Sequence, residues 1–319
     1  MVATLLLCAL RSAGLIGGRN APGQSLGIIQ SMVWQTIDHG RATAHSEEVG
    51  HGQVRKQLEA FQVAALREIL GLSKVAPKLA VFGETGDLPD RWRERRKQLL
   101  IGRQMLDSDR SSLPYRVAAE ANSAIPKRGL FLRIQNIFES YEGKGRDVSD
   151  FENKEEIKRW ISRRASEEWQ RDVAKSTRLF DTYRGSTGLR LRGYLKEDFK
   201  GRQILTKLRS DDLELGAASY RGIGSTKVDP CQTCKSKNAT ESRTHFVLHC
   251  PALEGARKIH NEIYEWTTKY PPERAMAMVL LAHPHNASDD LTRARSVGAY
   301  LHELWTQRAL ILGIRSNLH

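Results

Sequence analysis

The sequence is poor in cysteine and lacks long apolar runs, and each shortage removes a class of proteins. Four cysteines in 319 residues are far fewer than the disulfide-rich scaffolds of secreted proteins contain. No run of about 20 apolar residues is present, so the sequence predicts no membrane-spanning helix. The apolar stretch at residues 3–10 is short and lacks the basic region that begins a signal peptide. We therefore expect a protein that is neither secreted nor embedded in a membrane.

Three of the four cysteines lie within a window of 20 residues that also contains a histidine. The window spells C-x2-C-x10-H-x4-C, with Cys231, Cys234, His245 and Cys250 at the four positions. Thiolates and an imidazole are suitable ligands for a tetrahedral zinc ion, and a C-x2-C pair commonly supplies the first two. The spacing therefore predicts one zinc site formed by these four side chains.

The three clustered cysteines are also compatible with two arrangements that need no metal. Free cysteines are often small core residues, although the polar connection at residues 235–240 is poorly suited to a core. A disulfide is the second arrangement, but three cysteines cannot pair evenly. His249 is an alternative to His245 as ligand. We favour His245, because His249 adjoins Cys250 and two adjacent residues have little chain between them with which to reach the same metal ion. Reduced thiols with zinc indicate the nucleus or the cytoplasm.

Positive charge is in excess, with a formal net charge of +13 and a sequence pI of about 9.7. Such an excess favours a polyanionic partner, nucleic acid before an anionic membrane. Basic residues are concentrated between residues 159 and 202, interleaved with aromatic residues that are able to stack on unpaired bases. The predicted nucleic-acid contacts in this run are Arg159, Arg163, Arg164, Trp169, Arg190, Arg192, Tyr194 and Lys196. The alternative is a solvated basic surface whose aromatic residues belong to the core.

Apolar residues recur mainly at helical spacing, which predicts a mainly α protein. Residues 53–70 are the clearest case, and Gly71 is a typical residue to end that helix. Helices are also predicted over residues 27–39, 91–106, 113–121, 154–180, 203–215, 253–268, 273–281 and 288–312. The glycine-rich, charged residues 143–150 predict a linker between a helical region at 1–142 and a basic helical domain at 151–319.

The cysteine window carries a resemblance to a known family. Residues 241–251 read ESRTHFVLHCP and follow a C-x2-C pair. This order resembles the E-T-x-x-H-x-[apolar]-x-x-C-P tail of the reverse transcriptases of non-LTR (LINE-type) retrotransposons, with Ser242 in place of the usual threonine. Residues 204–210, ILTKLRS, are similar to the helix that precedes the cysteines there, and Arg257 matches an arginine often found after them. The resemblance implies that Arg209 and Arg257 are further nucleic-acid contacts.

The N-terminal half is similar to the same family. Residues 58–71, LEAFQVAALREILG, resemble a helix that follows the polymerase palm, and residues 86–89, GDLP, resemble the turn after it. The matches therefore occur in the order in which the family has them. The resemblance implies a helical, thumb-like part followed by a helical part that a CCHC zinc motif stabilises.

The palm that performs polymerisation has no counterpart in the sequence. Its chemistry needs carboxylates that hold two metal ions, which the family places in an aromatic-x-Asp-Asp hairpin. Asp211 and Asp212 are the nearest similar pair, and we expect them to be a solvated pair that ends a helix. No ribonuclease H or endonuclease pattern is found. We therefore expect a part that is not an enzyme by itself, binds template RNA or target DNA, and has the palm of a parent element as a further partner. A zinc-stabilised protein-interaction domain and a decayed fragment without function are the alternatives.

Overall fold

The computed structural model describes residues 8–15, 21–38, 51–123, 129–141, 147–183, 186, 188–215, 230–236, 239–281 and 291–314. This part of the chain is mostly helical and contains no β-strand. It has two isolated β-bridges, between Thr85 and Leu191 and between Pro230 and Thr240. The prediction of a mainly α protein is confirmed.

Two segments are π-helical, Ile29–Trp34 and His245–His249, and short 3-10 turns lie at Val148–Asp150, Gly193–Lys196 and Pro251–Leu253. The α-helices are α1 (Pro22–Ile28), α2 (His51–Leu70), α3 (Lys78–Thr85), α4 (Asp90–Leu106), α5 (Leu113–Ser123), α6 (Gly129–Tyr141), α7 (Lys154–Ala174), α8 (Phe180–Tyr183), α9 (Arg202–Arg209), α10 (Glu254–Lys258), α11 (Asn261–Lys269), α12 (Pro272–Val279) and α13 (Leu291–Leu312).

Most of these helices agree with the sequence, but several segments differ, among them the helix predicted over residues 154–180, which ends at Ala174. Helix α6 has no counterpart among the predicted helices, although Phe131, Ile134 and Phe138 lie on its buried face. The helix predicted at residues 203–215 ends at Arg209. The one predicted at residues 253–268 is interrupted at His260, whose φ of −107° and ψ of 73° are not helical.

The chain forms two compact units. Unit 1 contains residues 1–46, 61–87 and 169–319, and unit 2 contains residues 47–60 and 88–168. The boundaries between the units therefore do not coincide with the predicted linker at residues 143–150, which lies inside unit 2. Of that linker, residues 143–146 lie outside the described part, and Val148–Asp150 form a 3-10 turn.

Unit 2 is built mainly from α4, α5, α6 and the first part of α7. Its core is aromatic, with the ring centroids of Phe138 and Trp160 at 5.4 Å and those of Phe138 and Phe151 at 5.8 Å. Helices α4 and α6 approach closely at Gly102, where a Cβ atom would lie 2.6 Å from Ile134 Cδ1. A glycine is favoured there because a larger side chain would push the two helices apart.

Unit 1 has its core around α13. This helix packs against α9, against α10 and against the π-helical turn His245–His249. Cys231 and Cys250 belong to the same buried cluster as the apolar residues of α13. The C-terminal helix therefore supports the segment that carries the four predicted metal ligands.

Candidate metal centre

The first two ligands lie on a tight turn. The N–H of Cys231 donates to the carbonyl of Ala239 at 2.6 Å, and the N–H of Lys235 donates back to the carbonyl of Cys231 at 2.8 Å. Lys235 closes the turn with a φ of 55°, a conformation that non-glycine residues adopt uncommonly. This turn places the side chains of Cys231 and Cys234 on the same side of the chain.

The other two ligands lie at the ends of a π-helical turn. The N–H of Cys250 donates to the carbonyl of His245 at 2.7 Å, which is the i to i+5 bond of a π-helix. Ser242 accepts the N–H of His245 on its hydroxyl at 3.1 Å. The four residues between His245 and Cys250 therefore form one wide turn that brings Cys250 close to His245.

The four side chains meet at one point. Their ligand atoms all lie within 4.8 Å of one another. The Sγ atoms of Cys231 and Cys250 are 4.0 Å apart, and Cys234 Sγ lies 3.5 Å from Nε2 of His245. Cys231 and Cys250 are buried, while Cys234 and His245 are half-buried. This donor set of three sulfurs and one imidazole nitrogen can hold a metal ion.

Burial favours the uncharged form of three of the four side chains. Burial raises the pKa of Cys231, and burial followed by the two neighbouring cysteines raises the pKa of Cys250 to about 12. Burial is also the main cause that lowers the pKa of His245, with smaller contributions from His249 and Arg257. Without a cation these two thiols therefore stay protonated at neutral pH, whereas a cation between them stabilises the thiolates.

A buried ion pair fixes the cysteine turn to α13. Glu241 is 1% exposed and accepts bonds from Nε and Nη2 of Arg308 at 2.8 and 3.0 Å. The same carboxylate accepts the hydroxyl of Thr233, inside the C-x2-C turn, at 2.7 Å. The local sequence gives no sign of this contact, because Arg308 lies 67 positions after Glu241.

Two further side chains hold the π-helical turn. Tyr300 of α13 donates its hydroxyl to the carbonyl of Val247 at 2.6 Å. Arg257 of α10 donates Nη2 to the carbonyl of Cys250 at 2.7 Å. Both residues are buried, so the histidine and cysteine ligands are positioned by the helices packed against them.

Five of the ten predicted nucleic-acid contacts lie in the interior, and for them the prediction is corrected. Their side chains are 0–4% exposed and therefore do not contact a nucleic acid bound at the surface. These residues are Trp169, Arg192, Tyr194, Arg209 and Arg257. Trp169 donates its indole N–H to the carbonyl of Leu79 at 2.8 Å, which is typical of a core residue.

Three of these five surround one buried carboxylate. Glu84 is 0% exposed and accepts bonds from Nε of Arg209 at 2.8 Å and from the hydroxyls of Tyr194 and Tyr183 at 2.7 and 2.5 Å. Arg192 donates Nε to the neighbouring carbonyl of Gly83 at 2.8 Å. The basic and aromatic residues that suggested base stacking therefore form an internal network around Glu84.

The other five predicted contacts are at least partly accessible. Arg159, Arg163 and Lys196 are exposed, and Arg164 and Arg190 are half-buried. Arg163 and Arg164 both lie near the carboxylate of Glu167, at 3.9 and 2.9 Å. Arg159 and Lys196 have no ion-pair partner within 4.0 Å among the described residues.

The expectation of a solvated Asp211–Asp212 pair is wrong, although the pair does follow the end of α9. Asp211 is 5% exposed and pairs with Arg178 at 2.7 Å and with Arg243 at 3.2 Å. Asp212 is 7% exposed and accepts the backbone N–H of Ser73 at 2.7 Å. Both carboxylates thus connect distant segments of unit 1.

One tryptophan differs from the rest. Five of the six are buried, whereas Trp266 of α11 is half-buried. The guanidinium carbon of Arg293 lies 4.7 Å from its ring centroid. Nothing in the local sequence distinguishes this tryptophan from Trp160 or Trp169, because exposure depends on the packing of remote helices.

The comparisons with known proteins give no further identification. No helix in the described part combines the length and the apolar composition that crossing a bilayer requires. Neither a protein-family model, nor a curated protein, nor a solved structure matches this chain.

Proposed function

We propose that this chain is the zinc-stabilised, nucleic-acid-binding part of a reverse transcriptase of the LINE type, and that it binds template RNA or target DNA. The observation that carries the proposal is the convergence of Cys231, Cys234, His245 and Cys250 within 4.8 Å. These are the residues at which the chain resembles the family's C-terminal tail. The palm that would perform the chemistry belongs to another segment or another chain.

The donor set supports zinc as the bound metal, because three sulfurs and one imidazole nitrogen suit a tetrahedral zinc ion. With bonds of about 2.3 Å to sulfur and about 2.05 Å to nitrogen, a regular tetrahedron separates two sulfurs by about 3.8 Å and sulfur from nitrogen by about 3.6 Å. Two of the six observed separations are close to these values, 4.0 Å for Cys231–Cys250 and 3.5 Å for Cys234–His245, and all six are at most 4.8 Å. Four protein ligands leave no open position, which is typical of a structural zinc site.

Three motif residues between Cys234 and His245 support the resemblance, because each makes a contact that holds this segment in place. Glu241 holds the cysteine turn to α13 through Arg308. Ser242 accepts the N–H of His245, a bond that threonine, the usual residue of the family, is equally able to accept. Arg243 donates to the carbonyl of Leu208 at 3.1 Å, which connects the tail to α9, the helix that resembles the family's helix before the cysteines.

Nucleic-acid binding is supported by the accessible part of the positive charge. The net charge is +13, and several basic residues of the run between 159 and 202 are exposed after folding. In unit 1, Lys196 and Lys200 are exposed and have no ion-pair partner within 4.0 Å among the described residues. Cations in this state neutralise phosphates with release of counterions.

The zinc assignment is tested by metal analysis of freshly purified, reduced protein. We expect about one zinc ion per chain and loss of the metal in Cys234→Ser. Cys8→Ser is the matched control, because Cys8 is an exposed free cysteine outside the cluster, and this variant should keep its zinc. Wild-type protein without zinc would exclude the proposed metal.

The binding role is tested by titrating single-stranded RNA at several salt concentrations. The logarithm of the affinity should fall linearly with the logarithm of salt. Lys196→Ala with Lys200→Ala should reduce that slope by about 1.4, since each single-strand phosphate contact contributes about 0.7. The control pair Lys74→Ala with Lys269→Ala removes two exposed lysines outside the basic run and should leave the slope unchanged. Zinc-loaded, folded protein that does not bind at low salt would favour the protein-interaction alternative.

A further inference from the structure

Arg257 is a buried cation to which the described residues offer no carboxylate within ion-pair distance. Its side chain is 4% exposed, and arginine is almost never fully buried without a partner. Nη2 donates to the carbonyl of Cys250 at 2.7 Å, while Nη1 is buried with no hydrogen-bond partner in the described part of the chain. Glu254, three positions earlier in α10, pairs instead with the exposed Lys258 at 2.7 Å.

Two other buried arginines of unit 1 are compensated directly by a carboxylate. Arg209 pairs with Glu84, and Arg308 pairs with Glu241, each at 2.8 Å. A buried charge without a counter-charge is strongly unfavourable, because it has lost its hydration and gained no opposite charge. A negative charge is therefore expected beside Arg257 in the functional state of the protein.

The metal centre provides such a charge once it is loaded. The hydrogen bond of Arg257 goes to Cys250, one of the four ligands. Binding of a divalent ion removes the protons of the three thiols. Three thiolates, a neutral imidazole and a divalent cation leave the centre with one net negative charge.

We propose that Arg257 is the counter-ion of the loaded metal centre and positions it through the carbonyl of Cys250. This inference rests on the proposed zinc site and assigns that site a further residue beyond its four ligands. It replaces the predicted role of Arg257 as a nucleic-acid contact. Its consequence is reciprocal, since the metal favours the buried position of Arg257 and the guanidinium favours retention of the metal.

Two substitutions separate the charge of Arg257 from its hydrogen bond. Arg257→Gln removes the charge and keeps an N–H donor for the Cys250 carbonyl, whereas Arg257→Lys keeps the charge. Zinc affinity of the full chain is measured by competition with a chromophoric chelator at fixed pH, and the thiolate-to-metal absorption of the Co²⁺-substituted protein reports the ligand set. Lys258→Gln is the matched control, because it removes the same charge from an exposed neighbour.

We expect Arg257→Gln to lose about 10–100-fold in zinc affinity, the range found when residues that support metal ligands are replaced. Arg257→Lys should retain most of the affinity, and Lys258→Gln should match the wild type. Equal affinity of Arg257→Gln and the wild type, or an equal loss in the glutamine and lysine variants, would overturn the inference. Wild-type protein that binds no zinc would instead refute the proposed zinc site, so the two failures are distinguishable.

Melting with and without zinc gives a second, independent readout. In the loaded protein Arg257→Gln should lower the melting temperature, because the centre loses its counter-ion. In protein stripped of metal the same substitution should leave the melting temperature unchanged or raise it, because it removes an uncompensated buried charge. An equal decrease in both states would indicate a purely structural side chain and would contradict the proposed role.

Discussion

At the scale of single residues, buried ion pairs determine how the segments of unit 1 meet. Glu84 on α3 collects bonds from Arg209 on α9 and from two tyrosines, and Arg209 also donates to the carbonyl of Leu280. Each partner comes from a different part of the chain. Such a network specifies one arrangement of the helices, because any other arrangement would leave a buried charge unpaired.

The first prediction is that Glu84→Gln destabilises the protein by about 3–5 kcal/mol, the cost of leaving a buried partner charge uncompensated. Urea unfolding measures the free energy of unfolding. The double variant Glu84→Gln with Arg209→Met removes both charges and should recover much of the loss. A single variant as stable as the wild type would contradict the role assigned to this pair.

The same residue gives a prediction for acid. Burial alone would raise the pKa of Glu84, but the charges of Arg209 and Arg192 and the bonds from Tyr183 and Tyr194 outweigh it and lower the pKa. A lowered pKa in the folded state gives stability that is present above the unfolded value, about pH 4.3, and is lost as pH falls through the folded value. Unfolding measured from pH 7 down to pH 2 should therefore show a weaker acid dependence in Glu84→Gln than in the wild type.

At the scale of helices, two glycines permit the contact between α13 and the start of α9. Gly201 has a φ of +83°, and a Cβ atom there would lie 1.9 Å from the carbonyl oxygen of Gly298. A Cβ atom on Gly298 would in turn lie 2.6 Å from the ring of Phe199. Helix α13 also carries Tyr300 and Arg308, so its distance from α9 affects the segment with the metal ligands.

Gly201→Ala should therefore destabilise unit 1 by more than the roughly 1–2 kcal/mol that a left-handed conformation costs an ordinary residue, since the backbone contact is added to it. Gly255→Ala is the control, because Gly255 lies in α10 and a Cβ atom there meets nothing within 4 Å. That control should be neutral or stabilising by up to about 1 kcal/mol, the helix preference of alanine over glycine. Thermal melts of the two variants should move apart, and equal melting temperatures would argue against the close contact.

At the scale of the whole molecule, the described carboxylates that most resemble a polymerase pair are used for structure. Asp211 is held by Arg178 and Arg243, and Asp212 is held by Ser73 through its backbone N–H and its hydroxyl. Carboxylates that are committed to such bonds are poorly placed to hold two metal ions at a primer end.

The purified chain should accordingly fail to extend a labelled primer on an RNA or a DNA template, with either Mg²⁺ or Mn²⁺. A complete reverse transcriptase assayed in parallel shows that the templates are competent. Extension that persists through repeated purification and disappears in Asp211→Ala with Asp212→Ala would contradict the prediction and would make this pair catalytic.

The sequence by itself determined the features that depend on local order. Helical spacing of apolar residues predicted the mainly α fold and most helix positions. The order C-x2-C-x10-H-x4-C identified Cys231, Cys234, His245 and Cys250, because a tight turn and a single π-helical turn are short-range structures. The helix α6 was missed, and the ends of α9 and α10 were misplaced, because packing against remote helices selects where a helix begins and ends.

Only the tertiary structure decided which charged and aromatic residues are accessible. Trp160 and Trp169 lie among arginines in the sequence, as is typical of aromatic side chains that stack on bases, yet both rings are buried. Trp266 is the half-buried tryptophan. Arg209, which the resemblance predicted to be a nucleic-acid contact, lies instead beside Glu84, 125 positions earlier in the chain. The physical reason is that a buried charge is retained when a partner from a distant segment meets it, and the linear order of residues contains no information about that partner.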